Sequence, residues 1–137
     1  MTGLKSLIRL HKWELEEERK ALARLLAMRQ GIVNQIQRIR DDMAHERRNA
    51  NNLHWFFAYP PYAEAMNHRI EVLNASLFEL DDQIAEAEER VSAAFKEKRK
   101  FEIALENQLE LERQAEERRD QAALDEIALN AFRRKAS

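Results

Sequence analysis

Apolar residues in the first third of the chain recur at alternating intervals of four and three residues. The repeat has fourteen positions, ten of them apolar, with His11, Glu18, Arg29 and Glu46 as the polar members. The apolar members are Leu4, Ile8, Leu15, Leu22, Leu25, Ile32, Ile36, Ile39, Met43 and Ala50. A seven-residue repeat held this long is typical of a coiled-coil helix and does not fit the two-residue period of a strand. It predicts a first helix over about 3–50.

A second repeat of the same kind occupies the other half of the chain. Its apolar members are Met66, Ile70, Leu73, Leu77, Leu80, Ile84, Ala87, Val91, Ala94, Phe101 and Leu105, with Lys98 the one polar interruption. The helix-forming composition continues past this repeat to the C-terminal end. We therefore predict a second helix over about 62–133. The two sets of repeat positions are called the first seam and the second seam.

The two seams are separated by a run that favours a turn. Residues 49–62 read NANNLHWFFAYPPY, with three asparagines followed by two prolines. Asparagine is common in turns, and a residue that precedes proline is pushed away from the helical conformation. The pattern predicts a tip over 51–61 and an all-α fold. In that fold the two helices form one antiparallel coiled-coil hairpin, a single domain over 1–137 with the second helix the longer.

The unequal arm lengths indicate a binding site. With the fold near residue 56, Leu4 is expected opposite about residue 108, close to where the second seam weakens after Leu105. Residues 106–135 then have no helix of the same chain to pack against. Apolar and basic residues nevertheless return near the end, at Leu124, Ile127, Phe132, Arg133 and Arg134. We predict that these residues bind a partner protein, since an isolated apolar stripe is normally covered by another helix.

The tip supplies the second candidate site. Trp55, Phe56, Phe57, Tyr59 and Tyr62 place five aromatic residues within eight positions. Some of them are expected to close the end of the hairpin. Any that stay exposed would form an apolar patch of the kind that binds other proteins. The sequence leaves both interpretations open for Trp55, Phe56, Phe57 and Tyr59.

Composition narrows the range of functions. The chain has 2 Gly, 2 Pro and no Cys, so disulfides and thiolate chemistry are excluded. Its formal net charge is -2, and acidic residues are interleaved with the basic ones, which argues against binding to nucleic acid. Arg47 and Arg48 lie near the predicted end of the first helix, where basic side chains also interact favourably with the helix dipole.

Catalytic and metal-binding patterns are lacking in the sequence. None of the four histidines is spaced i, i+4 with another, and neither GxGxxG nor GxxxxGK[ST] occurs. The many carboxylates belong to a two-helix fold, which offers no concave pocket to perturb their pKa values. We expect no enzyme activity, no metal and no cofactor.

Features of membrane insertion and secretion are also lacking. No apolar stretch approaches the roughly 20 residues that span a bilayer. The N-terminal run MTGLKSLIRLHKWELEEER has neither the apolar core nor the cleavage site of a secretory signal. We expect a cytoplasmic protein without a transmembrane segment.

Both ends of the chain resemble a known family. The runs KSLIRLHKWELEEERKAL and QAALDEIALNAFRRK look like the ends of the flagellar export protein FliJ family, and LIRLHKW and LDEIALNAF are the most telling parts. The similarity extends over nearly the whole chain as a pattern of length, mid-chain break and longer second helix. The family has no catalytic residues to carry over.

The resemblance implies a component of the bacterial flagellar type III export apparatus that is similar to the central stalk of rotary ATPases. Implied partners are the export ATPase ring, the cytoplasmic domain of the export gate, and export chaperones. The implied location is the cytoplasmic face of the inner membrane at the flagellar base, with peripheral membrane association through those partners. The alternative is a structural coiled-coil adaptor or chaperone without an ATPase partner.

Overall fold

The computed structural model describes residues 2–49 and 53–136 and contains two helices over those ranges. Helix α1 spans Thr2–Arg48 and helix α2 spans Leu53–Ala136. The two helices pack against each other in antiparallel fashion, and the predicted all-α hairpin with a longer second helix is confirmed. Asn49 lies in a turn directly after α1, and its backbone N–H donates to the carbonyl oxygen of His45 at 3.1 Å.

The predicted seams are the buried positions of both helices. Every described member of the first seam except Glu46 is buried or half-buried, and so is every member of the second seam. Ala50, also predicted to lie on the first seam, falls outside the described residues. Leu26, one position after the seam residue Leu25, is exposed. The seven-residue repeat therefore determines which side of each helix faces the other.

The first of two compact contact units consists of residues 14–94. It holds the buried apolar side chains Leu15, Ile36, Ile39, Met43, Leu80, Ile84 and Ala87. Ion pairs between the two helices include Arg29 with Asp81 at 2.8 Å and Arg90 with Glu18 at 3.2 Å. Their side chains are one-third to one-half exposed, so each contributes at most about 1 kcal/mol. Burial along the seam is the main source of stability in this unit.

The second contact unit combines the first 13 residues with residues 95–137. The His11 ring stacks on the Phe101 ring, with centroids 4.8 Å apart and planes inclined by 12°. One heptad further along each antiparallel helix from this pair are Leu4 and Gln108. Leu4 and Gln108 are half-buried, and beyond Gln108 every described residue except Ala115 is exposed.

The predicted tip requires a correction. Helix α2 begins at Leu53 and contains Pro60 and Pro61, so the tip over 51–61 and the helix start near 62 are wrong for residues 53–61. Residues 51 and 52 lie outside the described range. Pro60 and Pro61 lie inside α2 and do not end it, and the stretch before them contains the stacked rings of Trp55 and Tyr59. The single domain over 1–137 stays a prediction.

Within the described ranges, neither α1 nor α2 has a stretch that is apolar and long enough to cross a membrane.

Candidate partner-binding surfaces

The C-terminal part of α2, residues 109–136, is a single helix with almost no burial. We call it the α2 extension. Its large apolar side chains are all substantially exposed, namely Leu109, Leu111, Leu124, Ile127, Leu129 and Phe132. A helix that lacks a packed face receives little support from tertiary contacts. Its stability must come from the helix itself.

Ion pairs between successive turns support the extension. The Arg113 guanidinium binds Glu110 at 2.6 Å, three residues before it, and Glu117, four residues after it. Pairs at these spacings each stabilise a solvated helix by about 0.2–0.5 kcal/mol. Hydrogen bonds from Arg113 also lower the pKa of Glu110, which keeps that carboxylate ionised. The extension is thus a solvated, charge-paired helix as far as Glu117.

The sequence-predicted residues lie beyond those ion pairs, near the end of the extension. Leu124, Ile127 and Phe132 expose 61–69% of their surface, and Arg133 and Arg134 are exposed as well. Leu124 and Ile127 are three residues apart and therefore share one side of the helix. Phe132, eight residues after Leu124, lies about 80° further round the helix from it. The binding of a partner by these residues stays a prediction.

The aromatic residues of the tip divide into two groups. In the first, the Trp55 and Tyr59 rings stack with centroids 4.6 Å apart. Arg47 of α1 donates to the Tyr59 hydroxyl, with its Nη2 atom at 3.1 Å, and its guanidinium lies 5.8 Å from the Tyr59 ring centroid. Burial, reinforced by the Asp42 and Glu46 carboxylates, raises the pKa of the neighbouring Tyr62 hydroxyl. These residues join the start of α2 to the end of α1.

The second group is Phe56 and Phe57. They expose 65% and 70% of their surface and meet edge to face, with ring centroids 5.6 Å apart. Trp55 and Tyr59, by contrast, are half-buried. Of the two interpretations left open by the sequence, the structural role suits Trp55 and Tyr59, and Phe56 and Phe57 form an exposed apolar patch.

This division predicts different stability effects for two tip variants. We expect Trp55→Ala to lower the free energy of unfolding by about 2 kcal/mol, because the variant loses the stacked contact on Tyr59. The matched variant Phe57→Ala should change it by less than about 0.5 kcal/mol, as is usual at exposed positions. Thermal or urea unfolding followed by circular dichroism measures both. A large loss for Phe57→Ala would contradict the division.

Several exposed apolar residues were missed by the sequence analysis because they lie off the seams. Leu7, Leu10 and Trp13 follow one another at three-residue intervals on α1, and Phe95 and Ile103 lie on α2. The sequence does contain a signal for them, because they are large apolar residues at positions that the seven-residue repeat assigns to solvent.

Side chains suited to metal binding are dispersed. Over residues 2–49 and 53–136, no group of three or more histidine, aspartate or glutamate side chains is close enough to hold a metal ion.

Comparison with known proteins gives one match. A family model described as "Flagellar FliJ protein" matches residues 1–137, the whole chain. No curated protein and no solved structure matches. The family resemblance that the two terminal runs indicated is confirmed over the full length.

Proposed function

This chain belongs to the flagellar FliJ family and is therefore a component of the flagellar export apparatus; from that premise we propose that it binds the export ATPase ring as a stalk and promotes export. The family is a cytoplasmic, non-catalytic part of that apparatus. We further propose that it acts at the cytoplasmic face of the inner membrane at the flagellar base.

The main support for this proposal is the exposed C-terminal end of α2. Leu124, Ile127 and Phe132 are exposed on a helix segment that packs against nothing in the described chain. Such residues lower solubility and add nothing to the stability of the hairpin. They suit a contact in which a helix inserts its apolar side into a partner, with Arg133 and Arg134 beside acidic groups of that partner.

The exposed pair at the tip is assigned to a separate contact. Phe56 and Phe57 belong to the compact unit of residues 14–94, whereas the α2 extension belongs to the other unit. We assign the tip to the export gate's cytoplasmic domain or to export chaperones.

Point variants test the ATPase contact. The triple variant Leu124→Ser, Ile127→Ser, Phe132→Ser should bind the purified export ATPase at least about tenfold more weakly, because central apolar contacts dominate interface energies. Stimulation of ATP hydrolysis should fall in parallel. Binding is measured by surface plasmon resonance or titration calorimetry, and circular dichroism should report an unchanged helix content.

A matched control keeps the result specific. The double variant Val72→Ser, Phe78→Ser removes exposed apolar side chains from the unit of residues 14–94 and should bind the ATPase normally. If the triple variant binds as tightly as the unmodified protein, the contact assigned to the end of α2 is wrong. If no ATPase binding is found at all, the adaptor or chaperone function without an ATPase partner becomes the better hypothesis.

A further inference from the structure

A third surface lies on α2 outside both the tip and the extension. Phe95 and Ile103 are large apolar residues that do not belong to the second seam, and they expose 45% and 43% of their surface. With Lys96, Arg99 and Lys100 they line one open, shallow depression. We call these five residues the basic-apolar patch. Two apolar side chains among three cations are an unusual composition for a face with only solvent to contact.

Part of the positive charge of the patch is uncompensated. Arg99 is engaged, since its Nη1 atom lies 3.1 Å from Glu106 and 3.8 Å from Glu102. Lys100 lies over the Phe101 ring, 5.8 Å from its centroid. Over the described residues, however, neither Lys96 nor Lys100 forms an ion pair with a carboxylate. Their charges are therefore available to an anionic ligand.

Helix α1 adds basic residues in the same contact unit. Lys5, Arg9 and Lys12 each follow a seam position, so they share one side of α1, and all three are exposed. Phe95 and Arg99 each follow a seam position of α2. In an antiparallel pair of right-handed helices, positions that follow the seam on the two helices lie along the same edge. That edge of the unit carries Phe95, Arg99 and the three basic residues of α1, and the rest of the patch lies farther round α2.

We propose that the basic-apolar patch and this edge bind the anionic surface of a phospholipid bilayer directly. Phe95 and Ile103 enter the boundary between headgroups and acyl chains, and the basic side chains contact the lipid phosphates. The whole chain has a net charge of -2, so the attraction is local to this edge and orients the protein.

The shape of the patch favours a lipid surface over a protein helix. Partner helices bind in grooves lined by a continuous apolar row, whereas Phe95 and Ile103 are separated by two helical turns that carry cations. The alternation of cations with a few large apolar side chains is the chemistry of interfacial membrane helices. The proposal does not depend on the ATPase contact, and the two have separate readouts.

Vesicle flotation with the full-length protein tests the proposal. The protein should bind vesicles that contain phosphatidylglycerol, should not bind vesicles of phosphatidylcholine alone, and should dissociate as salt is added. The double variant Lys96→Ala, Lys100→Ala should bind roughly 30-fold more weakly, since each basic residue near an anionic surface contributes about fivefold. Phe95→Ser should lower the binding that persists at higher salt.

The double variant Arg118→Ala, Arg119→Ala is the matched control. It removes the same charge from exposed positions of the α2 extension and should bind vesicles as the unmodified protein does. Equal losses in both double variants, or no binding to phosphatidylglycerol vesicles at low salt, would overturn the proposal. Binding to soluble polyglutamate without binding to vesicles would identify an acidic protein as the ligand and would equally overturn it.

Discussion

Replacing Ile84 with aspartate is expected to lower the free energy of unfolding by about 4 kcal/mol, which lowers the melting temperature by roughly 10 °C or more. Ile84 exposes only 7% of its surface and belongs to the buried row that α2 contributes to the unit of residues 14–94. The variant loses the packing of a large side chain and brings an unpaired carboxylate into the helix–helix contact. Differential scanning calorimetry measures the shift.

Two controls separate a seam effect from a general effect of the substitutions. Ala85→Asp introduces the same carboxylate at the next position, which is exposed, and should change the free energy of unfolding by less than about 0.5 kcal/mol. Glu88→Ala, one position after the buried Ala87, should be similarly neutral. If Ile84→Asp and Ala85→Asp melt at the same temperature, the register of the two helices is wrong.

Truncation after residue 110 is expected to abolish stimulation of the export ATPase and bacterial motility while leaving the hairpin intact. The deleted segment lies in the α2 extension, where every described residue except Ala115 is exposed. The seam contacts of both units lie before it, so the melting temperature should stay within a few degrees of that of the full chain. Complementation of a deletion strain on soft agar and a coupled ATPase assay measure the functional losses.

Retention of function by the truncated protein would point to a different binding site. If the truncated protein still binds the ATPase and restores motility, the end of α2 is not the stalk contact. The exposed pair Phe56 and Phe57 at the tip would then be the better candidate. A truncated protein that unfolds at a much lower temperature would instead indicate that the extension stabilises the hairpin.

The seam could be predicted from the sequence because a seven-residue repeat has one dominant physical cause. Leu15, Ile36 and Met43 are buried on α1 as the repeat requires, and even the polar member His11 is half-buried against Phe101. The exposure of the α2 extension followed from comparing where the two repeats end. Both predictions rest on periodicity summed over many residues, so a single exception does not change them.

The start of α2 was mispredicted because a local rule was applied without its tertiary context. Prolines at 60 and 61 disfavour a helix, and that penalty falls on a few residues only. The stacked pair of Trp55 and Tyr59 and the hydrogen bond from Arg47 act on the same residues and oppose it. The contact with Arg47 joins residues on different helices, and no periodicity in the sequence encodes it.

The solvated state of the α2 extension has a kinetic consequence. A helix without tertiary contacts unfolds locally in small steps, so its amide protons should exchange with deuterium far faster than those of the seam around Leu80 and Ile84. A protein that docks on the extension must hold the segment in its helical form, and the loss of these openings would slow exchange there. Deuterium uptake across residues 109–136 would therefore map the docked partner residue by residue, against a slowly exchanging seam that serves as the internal reference.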